Sequence, residues 1–90
     1  MIRSFKPRGL KRFYEREDRS GIRSDLVKTV REILTVLDGA VAPQALNLPG
    51  YRLHPLKGDL KGLWSVRANW RIMFRFEGTD AFDIELIDYH

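Results

Sequence analysis

The stretch of residues 51–75, YRLHPLKGDLKGLWSVRANWRIMFR, combines the side-chain types that phosphate chemistry requires. Histidine is the natural acid–base group near neutral pH. His54 is one of two histidines in the chain, and Lys57 follows it in a glycine-containing loop that can approach a phosphate closely. This stretch contains one acid and six cationic residues, which are Arg52, Lys57, Lys61, Arg67, Arg71 and Arg75. Interleaved with Trp, Tyr and Phe, they suit a surface that binds a polyanion and positions a base. A hairpin whose alternate residues are simply solvated is the alternative interpretation.

The last three residues supply the other candidate groups. His90 ends the sequence, directly after Asp88 and Tyr89. A tyrosine can stack on a base or hydrogen-bond a phosphate, and an aspartate can orient a histidine or accept a hydroxyl proton. Metal-independent RNA cleavage needs a base for the ribose 2′-hydroxyl, cations for the phosphorane oxygens and an acid for the departing 5′-oxygen. A terminal histidine can equally be frayed and inert.

Composition excludes several other chemistries. The chain has 90 residues, which predicts one domain, residues 1–90, with one modest core. Cysteine is absent and the two histidines show no metal-ligand spacing, so we expect neither a metal site nor a cofactor. No apolar run approaches the roughly 20 residues of a membrane span. The opening MIRSFKPRGL lacks the apolar segment of a signal peptide, so we expect a cytoplasmic location and no membrane partner.

Charge is unevenly distributed along the sequence. All sixteen Lys and Arg residues lie in residues 1–75, whereas residues 76–90 contain five acids and no Lys or Arg. Eleven of the basic residues are arginine, whose planar fork suits bidentate phosphate contacts. A basic body of this kind favours a nucleic-acid or acidic-protein partner.

Hydrophobic periodicity predicts an α+β fold, β-α-α-β-β-β, in which a two-helix hairpin packs on one face of an antiparallel sheet. Apolar residues at helical spacing predict helices over residues 10–18 and 25–38, with Ser24 as the N-cap of the second. Alternation predicts strands over residues 1–5, 63–67, 70–76 and 81–88, and residues 51–54 alternate as well, with His54 extended before Pro55. The exposed face of the sheet is expected to carry Arg71, Met73 and Arg75.

The pairing of the last two strands can be argued from parity. If Phe82, Ile84 and Leu86 share the apolar face of the preceding strand, the connecting loop must have an odd number of residues. A three-residue loop places Arg71 opposite Glu85, and a five-residue loop places Arg75 opposite Asp83. In either case the late acids pair with strand arginines, so the acidic end of the chain is predicted to be structural.

The residues also resemble a known family. LHPLKGDLKGLWS (residues 53–65), NWRIMFRF (69–76) and the terminal DYH (88–90) resemble the HigB branch of the RelE/ParE toxin superfamily. The opening residues and the two-helix middle fit as well, so the resemblance covers the whole chain. HigB-type sequences usually carry one or two more residues between the Trp-Ser pair and the NWR element. Arg67 is therefore expected either at a turn or at the strand position of the family's arginine.

The resemblance implies a function, a site and partners. HigB toxins are similar to ribosome-dependent mRNA interferases, which cut the translated messenger in the ribosomal A site. Each is inhibited by a cognate helix-turn-helix antitoxin (HigA-like), and the complex binds operator DNA. The residues that the resemblance and the chemistry together assign to catalysis are His54, Lys57, Arg71, Tyr89 and His90. Those assigned to support or RNA binding are Arg67, Asp88, Arg52, Lys61 and Arg75.

Two other functions remain open from the sequence. ParE-like relatives share the fold and inhibit DNA gyrase without cutting RNA, although the HPLKG loop and the terminal histidine argue against that function. An RNA-binding or antitoxin-partner module that has lost catalysis is the third candidate, which the tight connection at Arg67 leaves open.

Overall fold

The computed structural model describes residues 1–6 and 8–88. It contains two helices, α1 (Arg8–Arg16) and α2 (Val27–Gly39), and four strands, β1 (His54–Pro55), β2 (Trp64–Val66), β3 (Trp70–Glu77) and β4 (Asp80–Asp88). The strands form one antiparallel sheet in the order β1-β2-β3-β4. The predicted α+β class, with helices on one face of an antiparallel sheet, is confirmed. Ser24 was wrongly predicted as an N-cap, because it begins a 3-10 turn, Ser24–Leu26, that leads into α2.

The core lies between α2 and one face of the sheet. In α2, Val30, Ile33, Leu34 and Leu37 recur at helical spacing and are at most 1% exposed. They share one hydrophobic cluster with the alternate residues of β3 and β4, which are Trp70, Ile72, Phe74 and Ile84. Burial of each such side chain contributes roughly 1.5–3 kcal/mol, so the position of β3 is set mainly by this face.

The first residues were predicted as a strand, but they form two isolated parallel bridges on the outer edge of β4. Ile2 pairs with Ala81 and Phe5 pairs with Ile84. Between these bridges the N–H of Asp83 donates to the Ser4 hydroxyl at 2.8 Å. The N-terminal segment thereby covers part of an edge that would otherwise expose unpaired backbone groups.

The predicted odd-numbered connection of the β3–β4 hairpin is wrong, although the paired residue numbers do sum to an even value from Trp70 to Met73. The connection has two residues, Gly78 and Thr79, and a β-bulge between Met73 and Arg75 shifts the register by one. Arg71 therefore lies opposite Ile87, not Glu85, and Arg75 lies opposite Phe82, not Asp83. A bulge adds one residue to one strand, so it reverses the faces on either side of it.

The predicted ion pair between Arg75 and Asp83 nevertheless forms. Asp83 takes a left-handed backbone conformation with φ 55°, and its carboxylate accepts from Arg75 Nε at 2.7 Å. Nearby, the Asp80 carboxylate contacts the Met1 amino group at 3.4 Å and Arg3 Nε at 3.1 Å. The late acids are thus structural, as predicted: they hold the bulge and the N-terminal segment to β4.

We expect acid to weaken this edge of the sheet. Hydrogen bonds from Arg3 and Arg75 lower the pKa values of Asp80 and Asp83, respectively. A carboxyl with a lowered folded pKa adds stability above its unfolded pKa of about 3.9, and loses that contribution as the pH falls through the folded pKa. The free energy of unfolding should therefore decline below about pH 4, and Asp80→Asn or Asp83→Asn should flatten the decline.

Urea unfolding across the acid range measures this effect. Asp59→Asn is the matched control, because Asp59 is exposed in the loop before β2 and forms no ion pair with any other residue in 1–6 or 8–88. The control should follow the wild-type curve, and an equally steep decline in both edge variants would contradict the assignment.

Helix α1 packs against the turn Arg19–Gly21 through two glycines. A Cβ added at Gly21 would lie 2.7 Å from the Gly9 Cα, which is closer than non-bonded carbon atoms approach. Gly39, at the end of α2, offers open space around its Cβ position. We therefore expect Gly21→Ala to lower the free energy of unfolding by about 1–3 kcal/mol.

Gly39→Ala provides the comparison. Its added methyl group meets no neighbour and reduces the freedom of the unfolded chain, so we expect a neutral or slightly stabilising effect, up to about 1 kcal/mol. Chemical denaturation of both variants measures the difference. Equal effects would mean that α1 does not rely on the close glycine contact.

Candidate functional site

The sheet register places one residue from each strand in a row across the open face, which is the face away from the helices. His54 pairs with Ser65, Ser65 with Met73, and Met73 with Glu85. Directly paired residues of antiparallel strands project to the same side. Arg71 flanks this row on β3, two residues from Met73, on the same side of the sheet.

His54 is held by two neighbours. Its Nδ1 lies 3.2 Å from the main-chain carbonyl oxygen of Arg52. The Ser65 hydroxyl lies 3.2 Å from Nε2 and 3.5 Å from Nδ1, and Ser65 is completely buried. The hydroxyl is thus nearly equidistant from the two ring nitrogens and supports the half-buried ring from beneath.

The Arg52 contact fixes the tautomer of His54. A carbonyl oxygen can only accept a hydrogen bond, so Nδ1 must carry the proton in the neutral ring. Nε2 then carries the lone pair of the neutral ring, and it can accept a proton or a hydrogen bond from the Ser65 hydroxyl. The carbonyl is available because Arg52 adopts a left-handed conformation with φ 53°, which is uncommon for a residue with a side chain.

Sequence reasoning missed the role of Ser65. It placed residues 63–67 on a strand and described residues 51–54 only as an alternating segment. The loop between them sets their register, and no residue pattern revealed which side chain would lie under His54. The Trp-Ser pair at residues 64 and 65 was the available signal, since an alternating strand that packs Trp64 against the core turns Ser65 toward the open face.

The predicted cations lie in different parts of the fold. Arg71 lies about 12 Å from His54 between Cα atoms, given strand spacings of about 4.8 Å and rises of about 3.4 Å per residue. Both side chains can therefore reach a phosphate placed between them.

Lys57 precedes the turn Gly58–Leu60 and Lys61 follows it, and both side chains are exposed. Gly58 and Gly62 give this loop its left-handed positions, with φ 66° and 97°.

Two of the predicted supporting residues are engaged elsewhere. Arg75 contacts Asp83 and Glu77 and its guanidinium covers the Phe82 ring at 5.0 Å, and these hydrogen bonds raise the pKa of Arg75. Asp88 lies opposite Trp70, on the helix side of the sheet, and its carboxylate contacts Arg23 at 3.2 Å. Asp88 therefore does not face the row that contains His54. Arg75 shares the open face with Met73, as predicted, but its guanidinium is held by Asp83 and Glu77.

Arg67 lies at the turn, the first of its two predicted positions. β2 ends at Val66 and Arg67 has φ 75°. Its side chain leaves the open face, places its guanidinium 5.2 Å from the Trp70 ring centroid and donates to the Gly50 carbonyl at 3.2 Å. With Arg52 it lines a cleft at this end of the sheet.

The predicted catalytic residues Tyr89 and His90 lie outside the described residues. Within residues 1–6 and 8–88, no group of three or more His, Asp or Glu side chains could hold a metal ion. In the same part of the chain, no helix is long and apolar enough to cross a bilayer.

Solved structures define the class of fold. The chain is similar to YoeB in the crystal structure of the heterotetrameric YoeB–YefM toxin–antitoxin complex from Staphylococcus aureus, with a TM-score of 0.62 and 21% sequence identity over 100% of this chain and 95% of that chain. The YoeB dimer from the same organism gives a TM-score of 0.58 and 21% identity, over 99% of this chain and 94% of that chain. The fold is therefore that of these small α+β toxins.

Sequence comparison then identifies the family. Residues 3–90 match the family described as the RelE-like toxin of type II toxin-antitoxin system HigB, and the chain belongs to this family. It is 46% identical, over the full length of both chains, to Endoribonuclease HigB of Proteus vulgaris. It is 36% identical to Toxin HigB-1 of Vibrio cholerae, over 90% of this chain and 87% of the relative. The resemblance drawn from residues 53–65, 69–76 and 88–90 is thereby confirmed.

The tautomer of His54 can be tested through the backbone of Arg52. Arg52→Gly allows the left-handed conformation without strain, so the carbonyl should stay in place and the neutral ring should keep its proton on Nδ1. Arg52→Val opposes that conformation because its side chain is β-branched, so the carbonyl should move and the proton should shift toward Nε2. Long-range nitrogen–proton NMR of the ring distinguishes the two tautomers.

The glycine variant is the control for loss of the Arg52 side chain. A neutral ring protonated on Nε2 in the unaltered protein would contradict the assignment. So would identical tautomers in the glycine and valine variants.

Proposed function

We propose that this toxin is a ribosome-dependent endoribonuclease that cuts translated messenger RNA in the ribosomal A site. The supporting observation is the row on the open face, where His54 presents a basic Nε2 and Arg71 stands within reach of the same phosphate. The relative with 46% identity is named an endoribonuclease, which agrees with this chemistry.

Cleavage without a metal can be assembled from the chain's own side chains. The ribose 2′-hydroxyl attacks the adjacent phosphorus, its proton passes to a base, and the 5′-oxygen leaves with a proton from an acid. We assign one of these two proton transfers to His54. Arg71 and Lys57 offset the charge that develops on the phosphorane oxygens. The terminal residues Tyr89 and His90 are proposed for base stacking and for the second proton transfer.

The partners follow from the family and from the charge. A toxin of a type II system is held by an antitoxin, which we propose to be a HigA-like helix-turn-helix protein through which the complex reaches operator DNA. We assign ribosomal RNA contacts to the exposed cations around the open face, including Lys61. The site of action is then the cytoplasm, where translated messengers are found.

We expect His54→Ala to lower cleavage of translated messengers at least a hundredfold, since loss of a general acid or base costs about 10²–10⁴ in rate. Arg71→Ala should lower it by about 10²–10³, because a charge on the transition state loses its partner. Mapping messenger 5′ ends after brief induction of each variant, singly and combined, measures the effect. Arg19→Ala removes a charge from an exposed turn away from the row and should cut normally.

Intact messengers under wild-type expression would end this proposal. A gyrase supercoiling assay on the same preparation separates the ParE-like alternative, because an inhibitor of that kind blocks supercoiling while leaving ribosome-bound RNA uncut.

A further inference from the structure

A cleft of about 380 Å³ lies at the end of the sheet where β2 turns into β3. Its walls contain two guanidinium groups, one amide and one indole, and no carboxylate; the lining residues are Gly50, Arg52, Arg67, Ala68, Asn69 and Trp70. This volume is at the low end of pockets that hold small ligands. The chemistry of the walls suits an anion.

The two arginines of this cleft differ from most others in the described chain. Five arginines contact carboxylates, and they are Arg3, Arg12, Arg23, Arg31 and Arg75. Arg52 and Arg67 form no ion pair with any residue in 1–6 or 8–88. A guanidinium that forms no ion pair retains its full attraction for a phosphate.

Arg67 is already held in a binding geometry. Trp70, which is 6% exposed, supports one face of the guanidinium, and the Gly50 carbonyl accepts one of its N–H groups. Its main-chain N–H donates to the Tyr51 carbonyl, which fixes the backbone as well. A guanidinium ordered in advance loses less side-chain entropy when it binds a ligand.

Two of the four side-chain-bearing residues with positive φ in residues 1–6 and 8–88 line the same cleft. Arg52, Arg67 and Gly50 all have positive φ values, of 53°, 75° and 82°. This conformation is uncommon for residues with a side chain, and residues held in it cluster at binding and catalytic sites. The left-handed conformation of Arg52 turns its carbonyl to His54, while its side chain lines the cleft. Arg52 therefore contacts both His54 and the cleft.

We propose that the cleft between Arg52 and Arg67 binds a backbone phosphate of the RNA strand, next to the phosphate that is cut beside His54. This subsite rests on the proposed endoribonuclease function. It anchors the substrate by charge and shape and takes no part in proton transfer. Arg67 reaches the cleft because it follows the end of β2 and adopts a left-handed conformation there.

Binding of an uncleavable RNA tests the subsite separately from cleavage. A short 2′-O-methyl RNA has no free 2′-hydroxyl, so its affinity for the intact protein reports binding alone. We expect Arg67→Gln and Arg52→Gln each to weaken binding about tenfold, because a charged hydrogen bond is lost. Each should also reduce the slope of log affinity against log salt by about 0.7, the contribution of one phosphate on a single strand.

Arg19→Gln is the matched control, since it removes the same charge from an exposed turn outside the cleft. Arg67→Lys keeps the charge without the planar fork, so it should preserve the salt slope while losing part of the affinity. Thermal unfolding of each variant verifies the fold. Affinities for both glutamine variants equal to that of Arg19→Gln would overturn the proposal.

NMR signals of the Arg67 Nε–H and the Trp70 indole identify the ligand. Both should shift on addition of the RNA and, more weakly, of inorganic phosphate. Shifts with phosphate but none with RNA would reduce the cleft to a general anion site and overturn the RNA subsite. RNA binding at the cleft in a protein that cuts no messenger would instead refute the endoribonuclease function and leave the subsite standing.

Discussion

The alternation of β3 is the constraint on which the rest of the structure depends. Trp70, Ile72 and Phe74 are at most 6% exposed and pack in one cluster with α2. Because successive side chains of a strand alternate, Arg71 must then project from the opposite face. The hydrophobic free energy that fixes the helices on one side therefore also sets the position of the Arg71 side chain on the other.

At three of the four non-glycine residues with a left-handed backbone in residues 1–6 and 8–88, the strained conformation positions a polar group. At Asp83 the conformation belongs to the β-bulge, and Arg75 and Ser4 hold the carboxylate and the main chain in place. At Arg52 and Arg67 the strain turns a carbonyl toward His54 and a guanidinium toward Trp70. The first is structural support for an edge strand, whereas the other two direct polar groups at the site and the cleft.

The sequence predicted the strongly periodic helices and strands, but it did not predict the pairing register of the strands. The helical spacing of α2 and the alternation of β3 come from burial, which leaves its mark in the order of apolar residues. The bulge leaves no such mark, so the parity argument assigned Phe82 to the core face, whereas it lies opposite Arg75. The contact between Ser65 and His54 depends on a loop that sets strand register, and sequence alone identified only the histidine.

The charges on the open face differ between its β1 side and its β4 side. His54 lies on the β1 edge of the row and Glu85 on β4, at the other end. Arg75 is compensated by Asp83 and Glu77, so the β4 side of this face offers a phosphate little net attraction. Lys57, Lys61 and Arg52 are exposed on the β1 side. Under the proposed function, a bound RNA strand is expected to follow the β1 side from the HPLKG loop past His54 to the cleft, since phosphate contacts supply much of the affinity for RNA.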